Sequence, residues 1–210
     1  MAGDLPPLLV VMALPAEGAG RFEQSGVPVL YTGIGKVNAT IALMRRLSDY
    51  RQAGGMPQLV VNFGTAGGVN VPAHTLVGCR RFVDRDMDVG ALGFAPGVTP
   101  FDDLPAMLEF APRFAALPDA ICGTGDSFAT RPHSLDCDVV DMEGYALAKA
   151  CRVQGVDFAC AKYVSDGADA LAAPATFSFQ CSAARASAPS LTYLAQAKST
   201  PCTRQAFASA

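Results

Sequence analysis

The sequence predicts an α/β fold, a single domain with a mixed, largely parallel central sheet flanked by helices. Three observations lead there. Several strand-length segments are continuous apolar runs, as expected of strands buried on both faces, rather than alternating ones. These runs alternate with segments of helical spacing. Glycines or acidic residues cluster where an apolar run gives way to the next segment, which is where open α/β sheets bind ligands. A length of 210 residues, half of them hydrophobic and 17% charged, suits one core that is well filled.

Taken in order, residues 8–14 form an apolar strand that stops at Pro15, and residues 16–22 begin a helix. Residues 27–32 are a second strand closed by Gly33-Ile34-Gly35. The next helix, 37–51, carries Val37, Ile41, Met44 and Leu47 at helical spacing. Residues 59–63 are a third strand that runs into a glycine turn, Gly64-Thr65-Ala66-Gly67-Gly68. Residues 76–83 and 87–92 supply further strands, and the Pro-rich stretch 94–118 is loop with room for a short helix. Short strands at 120–122 and 139–140, a helix at 142–152 and a strand at 158–164 complete the regular pattern. A terminal helix is expected at 190–198.

Charge and cysteine usage exclude several function classes. A formal charge of -3 and a pI near 5.3 give no basic footprint for nucleic acid or an anionic membrane. No apolar run approaches a bilayer span, and the amino end has an acid where a secretory signal places a base. Seven cysteines without C-x-x-C spacing indicate neither a zinc site nor a complete disulfide framework, so reduced thiols in the cytoplasm are expected. All 19 acidic residues lie at or before Asp169, whereas residues 170–210 carry only Arg185, Lys198 and Arg204 as charged groups.

The chemistry-bearing candidates sit at the strand ends. Asp141-Met142-Glu143 places two carboxylates and a thioether where a strand opens into a helix. The carboxylates suit the paired hydroxyls of a ribose, and the sulfur suits its apolar face. Their structural reading is a helix N-terminus with a core methionine. Gly33-Ile34-Gly35-Lys36-Val37-Asn38 begins like a dinucleotide fingerprint but has Asn38 where the third glycine belongs. Gly64 to Gly68 lacks the Gly-Lys-Ser/Thr ending of a phosphate-binding loop and offers close backbone approach instead, beside the Thr65 hydroxyl. Asp166 and Glu17 each follow a strand, as a helix-terminus acid or as a catalytic one.

Together these segments resemble the nucleoside phosphorylase and nucleosidase superfamily, most closely its methylthioadenosine/S-adenosylhomocysteine nucleosidases. The resemblance is carried by Ala13-Leu14-Pro15-Ala16-Glu17, Thr32-Gly33-Ile34-Gly35-Lys36-Val37, Asn62-Phe63-Gly64-Thr65-Ala66-Gly67-Gly68, Gly125-Asp126-Ser127-Phe128, Val140-Asp141-Met142-Glu143 and Ser165-Asp166-Gly167-Ala168-Asp169. It spans roughly residues 8–169 in the family's order, leaving residues 170–210 as a divergent end of the one domain, 1–210.

The resemblance implies hydrolysis of the N-ribosidic bond of a 5′-substituted adenosine, such as methylthioadenosine or S-adenosylhomocysteine, with release of adenine. It implies that Glu17 activates the attacking water, Asp166 protonates the departing base and Ser165 orients that acid. Glu143 then grips the ribose hydroxyls, Met142 packs on the sugar, Phe128 stacks on the purine, and Thr65 stands near the ribose with Ala66 and Gly67 beside it. Asp141 stands where the family more often has Glu, and Thr65 where it more often has Ser. No metal or organic cofactor is required, the partner is a small purine nucleoside, and a homodimer is expected in which Leu92 lies near a neighbour's pocket.

The chemistry agrees with these residue types. Oxocarbenium character in the sugar is stabilised by carboxylates, while an acid improves the purine as leaving group. An Asp protonated near neutrality needs its pKa raised by roughly 2 to 3 units, at a cost of about 3 to 4 kcal/mol. Two alternatives stay open. One is phosphorolysis, which needs cationic donors for phosphate; Asn62 stands where related phosphorylases carry an arginine, but Lys36, Arg80 and Arg81 are present. The other is a nucleoside-binding protein without turnover.

Overall fold

The computed structural model describes residues 8–127 and 135–167, apart from the side chain of Asp166. Phe128, the 170–210 segment and the helix expected at 190–198 lie outside them. The elements are β1 (Leu8–Met12), α1 (Pro15–Gly18), α2 (Arg21–Gln24), β2 (Val29–Tyr31), α3 (Lys36–Gln52), β3 (Leu59–Gly68), β4 (Leu76–Asp84), β5 (Met107–Glu109), β6 (Asp119–Thr124), β7 (Val139–Asp141), α4 (Gly144–Gln154) and β8 (Asp157–Gly167). They form an α/β fold with one mixed sheet in the order β2-β1-β3-β7-β6-β4-β5, and β8 pairs with both β3 and β4.

Parallel pairing dominates: β1 with β2 and β3, β3 with β8, β4 with β6, and β6 with β7. The antiparallel pairs are β3 with β7, β4 with β5 and β4 with β8. Because β8 bridges β3 and β4, the strands β3, β7, β6, β4 and β8 close a ring. The two sheet faces carry separate cores. One gathers Val60, Ala66, Val77, Cys79, Cys122, Cys160 and Val164 with α3 and α4; the other gathers Val10, Met12, Val61, Phe63, Ala159, Ala161 and Tyr163 with Phe22 and Phe114. Burial on both faces explains why β1 and the start of β3, Leu59 to Val61, read as unbroken apolar runs.

Several elements depart from the sequence reading. The helix expected at 16–22 is split into α1 and α2 because Ala19 and Gly20 adopt left-handed φ values of 47° and 71°. The helix at 37–51 forms, one residue longer at each end, but it buries Ala39, Leu43, Leu47 and Tyr50. Val37 is 67% exposed and Ile41 is also exposed, because the face one residue round from the predicted stripe packs on the sheet and α4.

Gly64 to Gly68 is not a turn. It continues β3 in extended conformation, paired with β8 from Leu59↔Asp157 to Gly68↔Gly167, so strand pairing overrides the local flexibility of glycine. Residues 87–92, expected as a strand, are an irregular stretch ending in a single 3-10 turn over Gly90–Leu92, with the Asp88 carboxylate accepting from the Gly90 N-H. The 94–118 loop contains a strand, β5, instead of a helix, and pairs Leu108 with Phe82.

Candidate active site

The parallel directions of β1, β3 and β8 bring their carboxyl-terminal ends to one side, and β7 joins them there by pairing Val140 with Gly67. Four sequence-distant stretches meet at these ends. Glu17 arrives first. It is the third residue of α1, whose start is set by Pro15, and it turns back so that Oε2 accepts the Ala13 N-H at 2.8 Å and the Leu14 N-H at 3.0 Å. Its Oε1 accepts the Thr65 N-H at 3.2 Å, and the side chain is buried. Gly64 makes this possible: a Cβ there would lie 2.7 Å from Glu17 Oε1 and 3.4 Å from Lys162 Nζ. The glycine is therefore needed for close approach of a carboxylate and an ammonium to the backbone, not for a turn.

Lys162 forms the floor. It is 1% exposed, on the same face of β8 as Cys160 and Val164, and its Nζ lies 2.8 Å from Asp141 Oδ2. The other Asp141 oxygen accepts from the Thr124 hydroxyl at 2.6 Å, and Oδ2 also accepts the Gly144 N-H at 2.8 Å. Thr124 Oγ1 in turn accepts the Tyr145 N-H at 2.7 Å, so the first turn of α4 is tied to β6 and β7. Burial works to lift the Asp141 pKa, but the Lys162 ammonium and these hydrogen bonds outweigh it and hold the carboxyl below its ordinary value. For Lys162, burial works downward, yet Asp141, the neighbouring thiols and Glu143 hold it well above the ordinary lysine range.

Glu143 has the opposite electrostatics although it is two residues away. Desolvation raises its pKa most, the negative Asp141 adds to this, and Lys162 and the Gly35 N-H offset part, leaving it pushed up to about 7. Its Oε1 accepts the Gly35 N-H at 2.9 Å. Gly35 has φ 96°, a conformation that favours glycine, which is the physical content of the Gly33-Ile34-Gly35 motif.

The remaining candidates fall around these carboxylates. Thr65 and Gly67 are partly buried, Ala66 is buried, and Met142 is partly buried between Asp141 and Glu143. Ser165 is the extra residue of a bulge: Ala66 pairs with Val164 and Gly67 with Asp166, while the Ser165 hydroxyl donates to the Ala66 carbonyl at 3.5 Å. The backbone of Asp166 lies in β8 rather than at a helix start, and its carboxyl group is outside the described part. Asp141, expected at the sugar hydroxyls, is instead engaged with Lys162, Thr124 and Gly144. Sequence reasoning gave Lys162 no partner and missed Thr124. The available signal was a lysine on the buried face of the apolar run Phe158-Ala159-Cys160-Ala161-Lys162-Tyr163-Val164, a position that demands an acid.

The cations that left phosphorolysis open are committed elsewhere. Arg80 pairs with Glu109 and Asp119, and Arg81 pairs with Asp119 at 2.9 Å. Lys36 Nζ lies 2.8 Å from Asp84 Oδ1. Asn62 donates to the Val11 carbonyl at 3.1 Å and accepts from the Cys160 thiol at 3.4 Å, so both ends of its amide are tied up beneath the site.

The sequence profile of the Phosphorylase superfamily matches residues 19–197. The chain belongs to this superfamily. Within the superfamily it is 31% identical over 170 residues to the 5′-methylthioadenosine/S-adenosylhomocysteine nucleosidase of a Marinomonas species (strain MWYL1), covering 70% of this chain and 71% of that protein. Solved structures share the fold. The nucleosidase of that name from Colwellia psychrerythraea 34H, in complex with adenine, aligns with a TM-score of 0.77 at 23% identity, over 90% of this chain and 94% of that one. Futalosine hydrolase of Helicobacter pylori strain 26695 aligns with a TM-score of 0.75 at 19% identity, over 91% and 97%. Among the described residues, no helix is long and apolar enough to cross a membrane.

Proposed function

We propose that this protein hydrolyses the N-ribosidic bond of a 5′-substituted adenosine such as methylthioadenosine or S-adenosylhomocysteine, releasing adenine. The observation that carries the reading is the Glu17 carboxylate, fixed by three backbone N-H groups beside Gly64 and among the ends of β3, β7 and β8. A carboxylate there is suited to accept a proton from water and would repel phosphate. The committed state of Arg80, Arg81, Lys36 and Asn62 supports hydrolysis over phosphorolysis, and the 31% identity to a nucleosidase supports the substrate class.

In this reading Glu143 accepts hydrogen bonds from the ribose hydroxyls while Met142 packs against the sugar. As the bond to the base lengthens, positive charge grows on the ribose and is met by Glu143 and Glu17. Asp166, oriented by Ser165, gives its proton to the purine ring, Phe128 stacks on that ring, and Glu17 takes a proton from the water that adds to the sugar carbon. Thr65, Ala66 and Gly67 form the wall beside the ribose. Asp141 acts through Lys162 and α4, shaping the floor. No cofactor takes part.

A homodimer fits the surface: Leu92 is 71% exposed, and Phe101 is 98% exposed while packing edge-on against Phe94. Val37 and Ile41 add an outward apolar pair on α3. The free, buried thiols of Cys79, Cys122, Cys137, Cys151 and Cys160 fit a cytoplasmic setting. The deciding assay measures adenine release from methylthioadenosine with and without inorganic phosphate. Release independent of phosphate is expected; a strict phosphate requirement overturns the reading.

A further inference from the structure

Lys36 has no part in the mechanism above, yet its position is anomalous. It is the first residue of α3, a 17-residue helix whose amino-terminal end carries partial positive charge, where a cation is unfavourable. The cap residue is Gly35, which has no side chain to satisfy the first N-H groups. Both problems are solved from outside the helix. Lys36 Nζ lies 2.8 Å from Asp84 Oδ1 at the end of β4 and 3.6 Å from Asp86 Oδ2 just beyond it. The Lys36 N-H donates to Asp126 Oδ1 at 2.8 Å, and the Asp126 N-H donates to Asp86.

Three acids and one lysine thus join the glycine turn to the ends of β4 and β6. Arg85 completes the charge pattern by contacting Asp86 and donating to the Gly125 carbonyl at 3.2 Å. The neighbour of Lys36 in the chain is Gly35, whose N-H holds Glu143. Glycine is the least constrained residue type, so the direction of that N-H depends on what fixes the turn on either side. Upstream, the Gly33 N-H is held by the Ala13 carbonyl at 3.0 Å. Downstream, the anchor is Lys36. Gly35 is also boxed in, since a Cβ there would lie 3.1 Å from Asp126 Oδ1.

We infer that Lys36 is a positioning residue for sugar recognition: by latching the glycine turn to Asp84, Asp86 and Asp126, it aims the Gly35 N-H that fixes the Glu143 carboxylate. The inference rests on the proposed ribose-binding role of Glu143. It predicts coupling between two residues that do not touch each other.

The test measures, by calorimetry, binding of a 5′-methylthio C-nucleoside, whose carbon-carbon link to the base cannot be hydrolysed. Lys36→Met is expected to weaken binding about tenfold, the size of losing one hydrogen bond to a charged group. Lys36→Arg should stay within about threefold of wild type, and Lys36→Met should add less than about twofold when Glu143 is already Gln. Asp126→Ala, at an exposed position, gives a milder loss by the same route and serves if Lys36→Met does not fold. Unchanged affinity in Lys36→Met, or in Asp126→Ala where Lys36→Met does not fold, overturns the inference, as does an equal loss with and without the Glu143 carboxylate. Wild-type protein that binds the C-nucleoside but releases no adenine from methylthioadenosine counts against the hydrolase reading alone. Wild-type protein that binds nothing overturns both.

Discussion

Two lysines organise the two levels of this site, and they do so under opposite conditions. Lys162 lies on the floor, fully enclosed, and pairs with one carboxylate whose remaining bonds come from Thr124 and Gly144. Lys36 lies at the rim, partly open to solvent, and meets three carboxylates from two segments, Asp84 and Asp86 through its ammonium and Asp126 through its backbone N-H. On the floor the low dielectric makes the charge state itself the important quantity. At the rim, solvent screens the charges, and what matters is which strand ends the network draws together.

The largest expected effect breaks the floor. Lys162→Met leaves the Asp141 carboxylate buried without its counter-charge, and loss of an ion-pair partner of this kind costs about 3–5 kcal/mol. Unfolding in urea should show it, and adding Asp141→Asn to Lys162→Met should recover a large part. A double variant no more stable than the single one means that the charge on Asp141 is not what the lysine neutralises.

Next is the notch between floor and wall. The backbone of Gly64 is extended, so Gly64→Ala introduces no torsional strain, but its Cβ would meet Glu17 Oε1 at 2.7 Å. Displacing a reacting group by about 1 Å costs about a hundredfold in turnover. Steady-state kinetics should show that drop with little change in melting temperature. Wild-type turnover would show that the Glu17 position is not critical.

A smaller effect separates the floor's two carboxyls by pH. Glu143 accepts ribose hydroxyls as a carboxylate, so kcat/KM should fall about tenfold per pH unit below about 7, and Glu143→Gln should lose that limb. Stability follows a different sign. Because the folded protein holds the Glu143 proton more tightly than the unfolded chain, this group's contribution is greatest below about 4.5 and declines as pH rises toward about 7. Asp141 behaves conversely: its contribution is present above the ordinary carboxylate range and is lost as pH falls through its lowered folded value. Wild-type and Glu143→Gln melting curves across pH 4 to 8 check the first sign, and wild-type and Asp141→Asn curves from about pH 5 downward check the second. The smallest effect is at the rim, where Lys36→Met should cost only about 1 kcal/mol of folding stability, as for a partly solvated ion pair. A loss as large as that of Lys162→Met would erase the distinction between the two levels.

The sequence by itself determined the α/β class and the order of most elements, because apolar runs such as 8–12 and 59–61 are local consequences of burial and the spacing of Val37, Ile41, Met44 and Leu47 marks a helix even though a neighbouring face is the one buried. It also marked the superfamily through motifs that each lie within a few adjacent residues. What it left undecided depends on partners distant in the chain. Whether Gly64 to Gly68 turns or extends is settled by a ten-residue pairing with β8, and whether Asp141 faces the sugar or the floor is settled by Lys162, 21 positions later. Val37 and Leu43 are equally apolar and lie on one helix, yet only packing against α4 and the sheet decides which is covered. Local spacing fixes which residues share an element and a face; only closure of the sheet fixes what that face meets, and with it the charge each buried group carries.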